Sequence, residues 1–218
     1  MIFSQKNHGH FQLIFFEANM KGKKKFNKHR SKHTINFYSA KNGCHIWCES
    51  FLERNYGVTL EFEESVHQYA SQPESFCVYG RRYTPDFLVE YKSGYAEYVE
   101  IKHTHYMNDE FFERHQLRKR VIYRLTGLEL VLRSELDIDN IEIENYELLM
   151  GYKTLDVNHL QPVICNLPQK TKLSRLEKLV SNLPGGSRAH AWSLVAQQHF
   201  YFDTSKPFNA ETTLMRRK

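Results

Sequence analysis

Apolar and polar positions change period several times along the chain, and each change marks an element. From Thr34 the residues Ile35, Phe37 and Tyr38 are strand-like, and Lys41-Asn42-Gly43 contains Asn-Gly, a strong hairpin signal. Over Ile46 to Tyr56 apolar residues recur near helical spacing. That spacing predicts a helix capped by Gly57, with Glu49 and Glu53 one turn apart on a shared face. Val58 to Phe62 and Val66 to Tyr69 read as short extended pieces ending at Gln72-Pro73. Phe76 to Tyr79, Tyr83 to Tyr91 and Tyr95 to Lys102 are then rich in Val, Phe, Tyr and Ile. With turns at Gly80-Arg81 and Ser93-Gly94, they read as an antiparallel meander.

Helical spacing returns over Asp109 to Leu125 and stops before Gly127, and Leu128 to Leu132 is a further strand. Ile141 to Met150 reads as an amphipathic segment closing a first domain of mixed α/β class. Gln161 to Lys172 carries two prolines and little period, so it reads as a linker, and the expected domains are 1–160 and 161–218. In the second, Ser174 to Val180 forms a helix, Pro184-Gly185-Gly186 breaks it, and Ser187 caps a helix running to about His199. A hairpin over Phe200 to Met215 completes the layout of a small winged helix.

Composition narrows the class. With 41% hydrophobic and 25% charged residues, the 218-residue chain can bury a core. No run approaches the roughly 18–20 apolar residues of a membrane span, and Leu13 to Phe16 is too short for a secretory signal. A cytoplasmic protein is therefore expected. The four cysteines read as reduced thiols, and Cys44-x-x-x-Cys48 with His45 lacks the second pair of a zinc site.

The net charge of +5 leans mildly toward polyanions, and its placement says more. Met20 to His33 is a basic arm containing Lys23, Lys24 and Lys25, which serves either as a solvated linker or as a phosphate contact. A second basic cluster, Arg114 to Arg124, includes Arg118 and Lys119 and lies on a helix.

The candidate chemistry sits on two strands. Pro85-Asp86 opens one and Glu100-Ile101-Lys102 closes the next. Strand period puts Glu100 and Lys102 on one face and Val99 and Ile101 on the other, and pairing brings Asp86 beside Glu100. Two carboxylates and a backbone carbonyl, that of Ile101, suit Mg²⁺, with Mn²⁺ able to substitute. Such an ion activates water for phosphodiester hydrolysis, and the Lys102 ammonium offsets developing charge. Glu53 supplies a third carboxylate, with Glu49 its rival. The residues alone leave a surface hairpin with a Glu-Lys ladder equally open. His103 and His105, next to Lys102, either assist the site or line the strand end.

Tyr38-Ser39-x-Lys41-x-Gly43, Ser50-Phe51-Leu52-Glu53, Gln72-Pro73, Tyr83-Thr84-Pro85-Asp86-Phe87-Leu88-Val89 and Val99-Glu100-Ile101-Lys102 together resemble the TnsA family. These are the endonuclease subunits of heteromeric cut-and-paste transposases. The resemblance covers Tyr38 to about Leu132, with a less specific likeness in the C-terminal region. It implies a restriction-endonuclease-like mixed sheet flanked by helices, of the PD-(D/E)xK type, followed by a small winged-helix-like C-terminal domain. It places Asp86, Lys102 and Glu53 at the family's catalytic acid, lysine and helix glutamate. Glutamine stands at the position of Glu100 in the founding member.

The resemblance further implies metal-dependent cleavage of the 5′ strands at double-stranded transposon ends. The partners would be a TnsB-type transposase and a TnsC-type AAA+ ATPase, with the basic arm and Arg114, Arg118, Lys119, Arg120 and Arg124 positioning the duplex. The alternatives are a stand-alone restriction or repair nuclease of the same fold, and a catalytically idle DNA-binding assembly module.

Overall fold

A computed structural model describes residues 34–217. The basic arm with Lys23, Lys24 and Lys25 lies outside the described residues. The chain divides into two compact units, one up to Ile138 and one from Asp139.

The first unit opens with an antiparallel hairpin of β1 (Ile35–Ser39) and β2 (Cys44–Cys48), turning at the expected Asn42-Gly43. The helix expected from Ile46 does not start there. Cys44–Cys48 is a strand because its alternate residues Ile46 and Cys48 point inward and are buried. Helix α1 runs over Phe51–Phe62, so Glu49 precedes it and Val58 to Phe62 is helical rather than extended. Gly57 does not cap this helix. It lies inside it, where an added Cβ would stand 2.9 Å from Phe37 Cζ and 3.5 Å from Phe87 Cζ. Glycine here lets the helix approach the hairpin and the sheet closely, which outweighs its poor helix propensity of about 1 kcal/mol.

The hairpin is tied to α1 by a buried carboxylate. Glu61, 1% exposed, accepts hydrogen bonds from Ser39 Oγ at 2.6 Å, Lys41 N at 3.0 Å and Tyr69 Oη at 2.8 Å. Lys41 Nζ donates to the Leu60 carbonyl at 2.9 Å and the Glu63 carbonyl at 2.6 Å, satisfying acceptors at the helix C-terminus. Ser39 and Lys41, two of the residues that carry the family resemblance, thus have a structural role, anchoring the helix that bears Glu53.

The main sheet has the order β3 (Val66–Ser71), β6 (Phe87–Tyr91), β7 (Ala96–Ile101), β8 (Glu129–Arg133). The first two pairings are antiparallel and β7–β8 is parallel. Parallel strands need a crossover, and helix α2 (Asp109–Thr126) supplies it, capped by Asn108 and by left-handed Gly127. All six residues of β7 are buried because both faces are covered. On one face Phe87 meets Tyr56 of α1, ring centroids 5.6 Å apart. On the other, Leu88, Tyr98 and Leu130 pack with Ile122 of α2.

The expected meander is interrupted. β4 (Phe76–Val78) and β5 (Arg81–Tyr83) form a separate two-stranded hairpin, and Thr84-Pro85-Asp86 breaks the chain before β6. Phe76 and Val78 join the α2-side core, while Tyr79 and Gly80 turn the hairpin with φ of +47° and +76°. A non-glycine residue in this left-handed region costs about 1 kcal/mol.

In the second unit, α3 (Asn140–Met150) packs on α6 (Arg188–Ala196), and α6 on α5 (Leu173–Ser181). A single-turn helix α4 (Gln161–Ile164) and strand β9 (Lys170–Lys172) occupy the segment expected to be a linker. Ser187 caps α6 as expected, and β10 (Phe200–Tyr201), β11 (Thr213–Arg216) and β9 form an antiparallel sheet in the order β10-β11-β9. Asn145 explains why the division falls at 138/139 rather than 160/161. This α3 side chain, 1% exposed, donates to the Thr204 and Lys206 carbonyls at 2.9 Å each and accepts from Phe208 N at 2.7 Å. Helix α3 therefore belongs to the second unit instead of closing the first.

Candidate functional site

Asp86 and Glu100-Ile101-Lys102 meet at one end of β6 and β7, as the strand period requires. Phe87 pairs with Val99, so continuing the register by one sets Asp86 opposite Glu100. Asp86 N donates to the Val99 carbonyl at 3.0 Å, and its Oδ2 accepts from Ile101 N at 2.6 Å. The side chain of Asp86 thus continues the ladder where its backbone pairing stops.

Glu53 reaches the same end from α1. Ser50 is the helix N-cap, accepting from Glu53 N at 3.1 Å, and its hydroxyl donates to Glu53 Oε1 at 2.9 Å. Glu49 N donates to Glu53 Oε2 at 2.8 Å. Because Glu49 lies before the N-cap, the two glutamates do not share a helix face as expected. Burial raises the Asp86 carboxyl well above the usual range, and the Glu53 carboxylate adds to this. The Ile101 amide opposes the shift, while Glu100 and Glu49 contribute further in the raising direction. The neighbouring Cys48 thiol is pushed up by its own burial, then by Glu53 and Asp86.

Glu100 is held from α2. Its Oε2 pairs with His115 Nδ1 at 2.7 Å and its Oε1 with the Arg118 guanidinium. Glu100 and His115 are 7% and 5% exposed. Arg118 also stacks on the Tyr83 ring, 4.3 Å from its centroid. The Tyr83 hydroxyl is buried and has no hydrogen-bond partner in good geometry among the described residues. Burial, then Glu100 and Asp86, raise its pKa, so it keeps its proton as a donor. Sequence reasoning missed Tyr83 and His115 as members of this cluster. The available signal was His115 and Arg118 at i and i+3, which share one helix face.

Lys102 follows directly, its Nζ lying 5.2 Å from the Tyr106 ring centroid and 5.9 Å from that of Phe111. His103 caps a 3-10 turn over Thr104–Tyr106 that contains His105: His103 Nδ1 accepts from His105 N at 3.2 Å and lies 3.3 Å from Glu135. Both histidines thus brace the turn after Lys102.

Among the described residues no group of three or more His, Cys, Asp and Glu side chains is arranged to hold a metal ion. The donors nonetheless have the right chemistry for a hard divalent ion. Several carboxylates press on one another around Asp86, and the buried Tyr83 hydroxyl lies beside Glu100. An ion that keeps most of its water needs few protein oxygens.

Three of the helix cations expected to meet DNA have partners inside the protein, while Arg120 and Arg124, expected with them, are exposed. Arg118 is bound to Glu100, Arg114 pairs with Glu110 one turn away, and Lys119 Nζ lies 2.9 Å from Glu129. Among the described residues, no helix is long and apolar enough to cross a membrane. No protein-family model matches the chain, and no curated protein matches it either.

Proposed function

We propose that the chain is a metal-dependent DNA endonuclease of the PD-(D/E)xK type, cutting the 5′ strands at transposon ends with a TnsB-type transposase and a TnsC-type ATPase. The observation that carries this reading is the strand-end pairing of Asp86 with Glu100-Ile101-Lys102, with Glu53 brought beside it by a capped helix. The mixed sheet, with helices on both faces, supports a restriction-endonuclease-like core. The two helices and three-stranded sheet of the second unit support a winged-helix-like reading.

Asp86, Glu100, Glu53 and the Ile101 carbonyl would hold Mg²⁺, or Mn²⁺ in its place. When bound, the ion supplies charge on the scissile phosphate and an acidified water. The chain's own residues do the rest. Lys102 places a fixed cation where negative charge develops, and the protonated Tyr83 hydroxyl stands beside Glu100. His115 and Arg118 fix the Glu100 carboxylate, limiting its rotamers before substrate arrives.

Strand-resolved cleavage of labelled transposon-end DNA, with Mg²⁺ and both partner proteins, tests the proposal. Asp86→Ala and Lys102→Ala should each remove the 5′ cuts and leave assembly intact. Unchanged 5′ cutting would move the active site elsewhere. One observation favours a second reading, a catalytically idle DNA-binding module: both Glu100 oxygens already bond to cationic or donor groups. Calorimetric titration with Mn²⁺ separates the two, since an idle module shows no binding that depends on Asp86.

A further inference from the structure

Tyr79, Arg81 and Arg82 stand out beside the paired helix cations Arg114, Arg118 and Lys119. Tyr79 is 77% exposed at the apex of the β4–β5 hairpin, and Arg81 and Arg82 are exposed beside it. The type I′ turn calls for Asn or Gly where Tyr79 sits, with φ of +47°. A strained, solvated aromatic ring adds nothing to the core, so stability does not account for it. Arg82 is oriented in advance: its Nε donates to Ser75 Oγ at 2.9 Å, and Ser75 is bonded to Thr84 Oγ1 at 2.7 Å. From Arg82 the chain reaches Asp86 in four residues, at most about 14 Å of extended backbone. Whatever the hairpin grips is therefore delivered to the strand end.

We infer that the Phe76–Tyr83 hairpin is a duplex DNA docking ribbon, with Arg81 and Arg82 on backbone phosphates and Tyr79 at the apex entering a groove. The inference rests on the nuclease reading, which makes duplex DNA the substrate. Both exposed charges are positive, matching a polyanion, and a two-stranded ribbon fits the roughly 12 Å major groove. Phosphate contacts of this kind position the duplex without reading its sequence.

The test is fluorescence-anisotropy titration of a labelled duplex with the full chain in EDTA, repeated over a series of salt concentrations. Arg81→Ala/Arg82→Ala should bind at least tenfold more weakly near 0.1 M salt and lower the salt slope by about two, one for each lost phosphate contact. Tyr79→Gly should lose affinity severalfold while its melting temperature holds or rises, because glycine accommodates the positive φ. Parent-like affinity and slope in the double variant would overturn the inference, as would a parent chain that does not bind duplex. Variants that keep DNA binding but no longer join the transposase would assign the hairpin to a protein partner and equally overturn it. The same preparations assayed with Mg²⁺ test the nuclease reading separately. A chain that docks through the hairpin but never cuts keeps this inference and loses that one.

Discussion

At Asp86 the carboxyl accepts the Ile101 amide while burial and the Glu53 and Glu100 carboxylates press against its charge. Its folded-state pKa is raised, so its contribution to stability is present below the unfolded value near 3.9 and is lost as pH rises through the folded value. Asp86→Asn keeps an acceptor for Ile101 and removes the charge. In EDTA at pH 7.5 the first unit of this variant should melt above wild type by roughly 3–6 °C, for about 1 kcal/mol in a unit of this size. The gain should shrink to nothing near pH 4. Thermal melts over that range check it, and a variant less stable at every pH would show that the charges are already compensated.

The elements that carry these residues are fixed by contacts distant in sequence. Glu61 ties α1 to the β1–β2 hairpin through Ser39, Lys41 and Tyr69, and Gly57 lets α1 sit against Phe37. Glu61→Ala leaves buried donors without an acceptor and should cost about 2–4 kcal/mol, measured by urea unfolding. Gly57→Val should cost about 2 kcal/mol or more through overpacking. It should also weaken Mn²⁺ binding by displacing the helix that carries Glu53. Loss of stability with Mn²⁺ affinity unchanged would separate the helix from the site.

The hairpin turn at Asn42-Gly43, the α2 helix with its Gly127 cap, and the Ser187 cap were readable because each depends on neighbouring residues. The β2 strand and the length of α1 were not. Cys44–Cys48 and Val58–Phe62 have short apolar patterns that suit either element, and the choice was made by Phe37, Phe87 and Tyr69 packing from elsewhere.

For the molecule as a whole, the break at Ile138/Asp139 implies two cooperative units. Calorimetry of the full chain should show two transitions. Mn²⁺ at 100 times its Kd should stabilise only the first unit, by about 2.7 kcal/mol, since the proposed donors all lie before residue 139. An equal shift of both transitions would mean that the ion binds elsewhere or that the units unfold together.

The sequence by itself determined the mixed α/β class, while the β6–β7 register that sets Asp86 opposite Glu100 is a property of the folded pair. The sequence also determined that a positively charged chain carries three candidate acids and a lysine in order. Only the tertiary structure decided which cations face outward. Arg118 lies in a basic cluster on a helix, yet it turns inward to Glu100, since a buried carboxylate requires a partner. Arg81 and Arg82, plain strand residues in the sequence, are left exposed because β4 and β5 separate from the main sheet, and that separation follows from the packing of Phe76 and Val78 on α2.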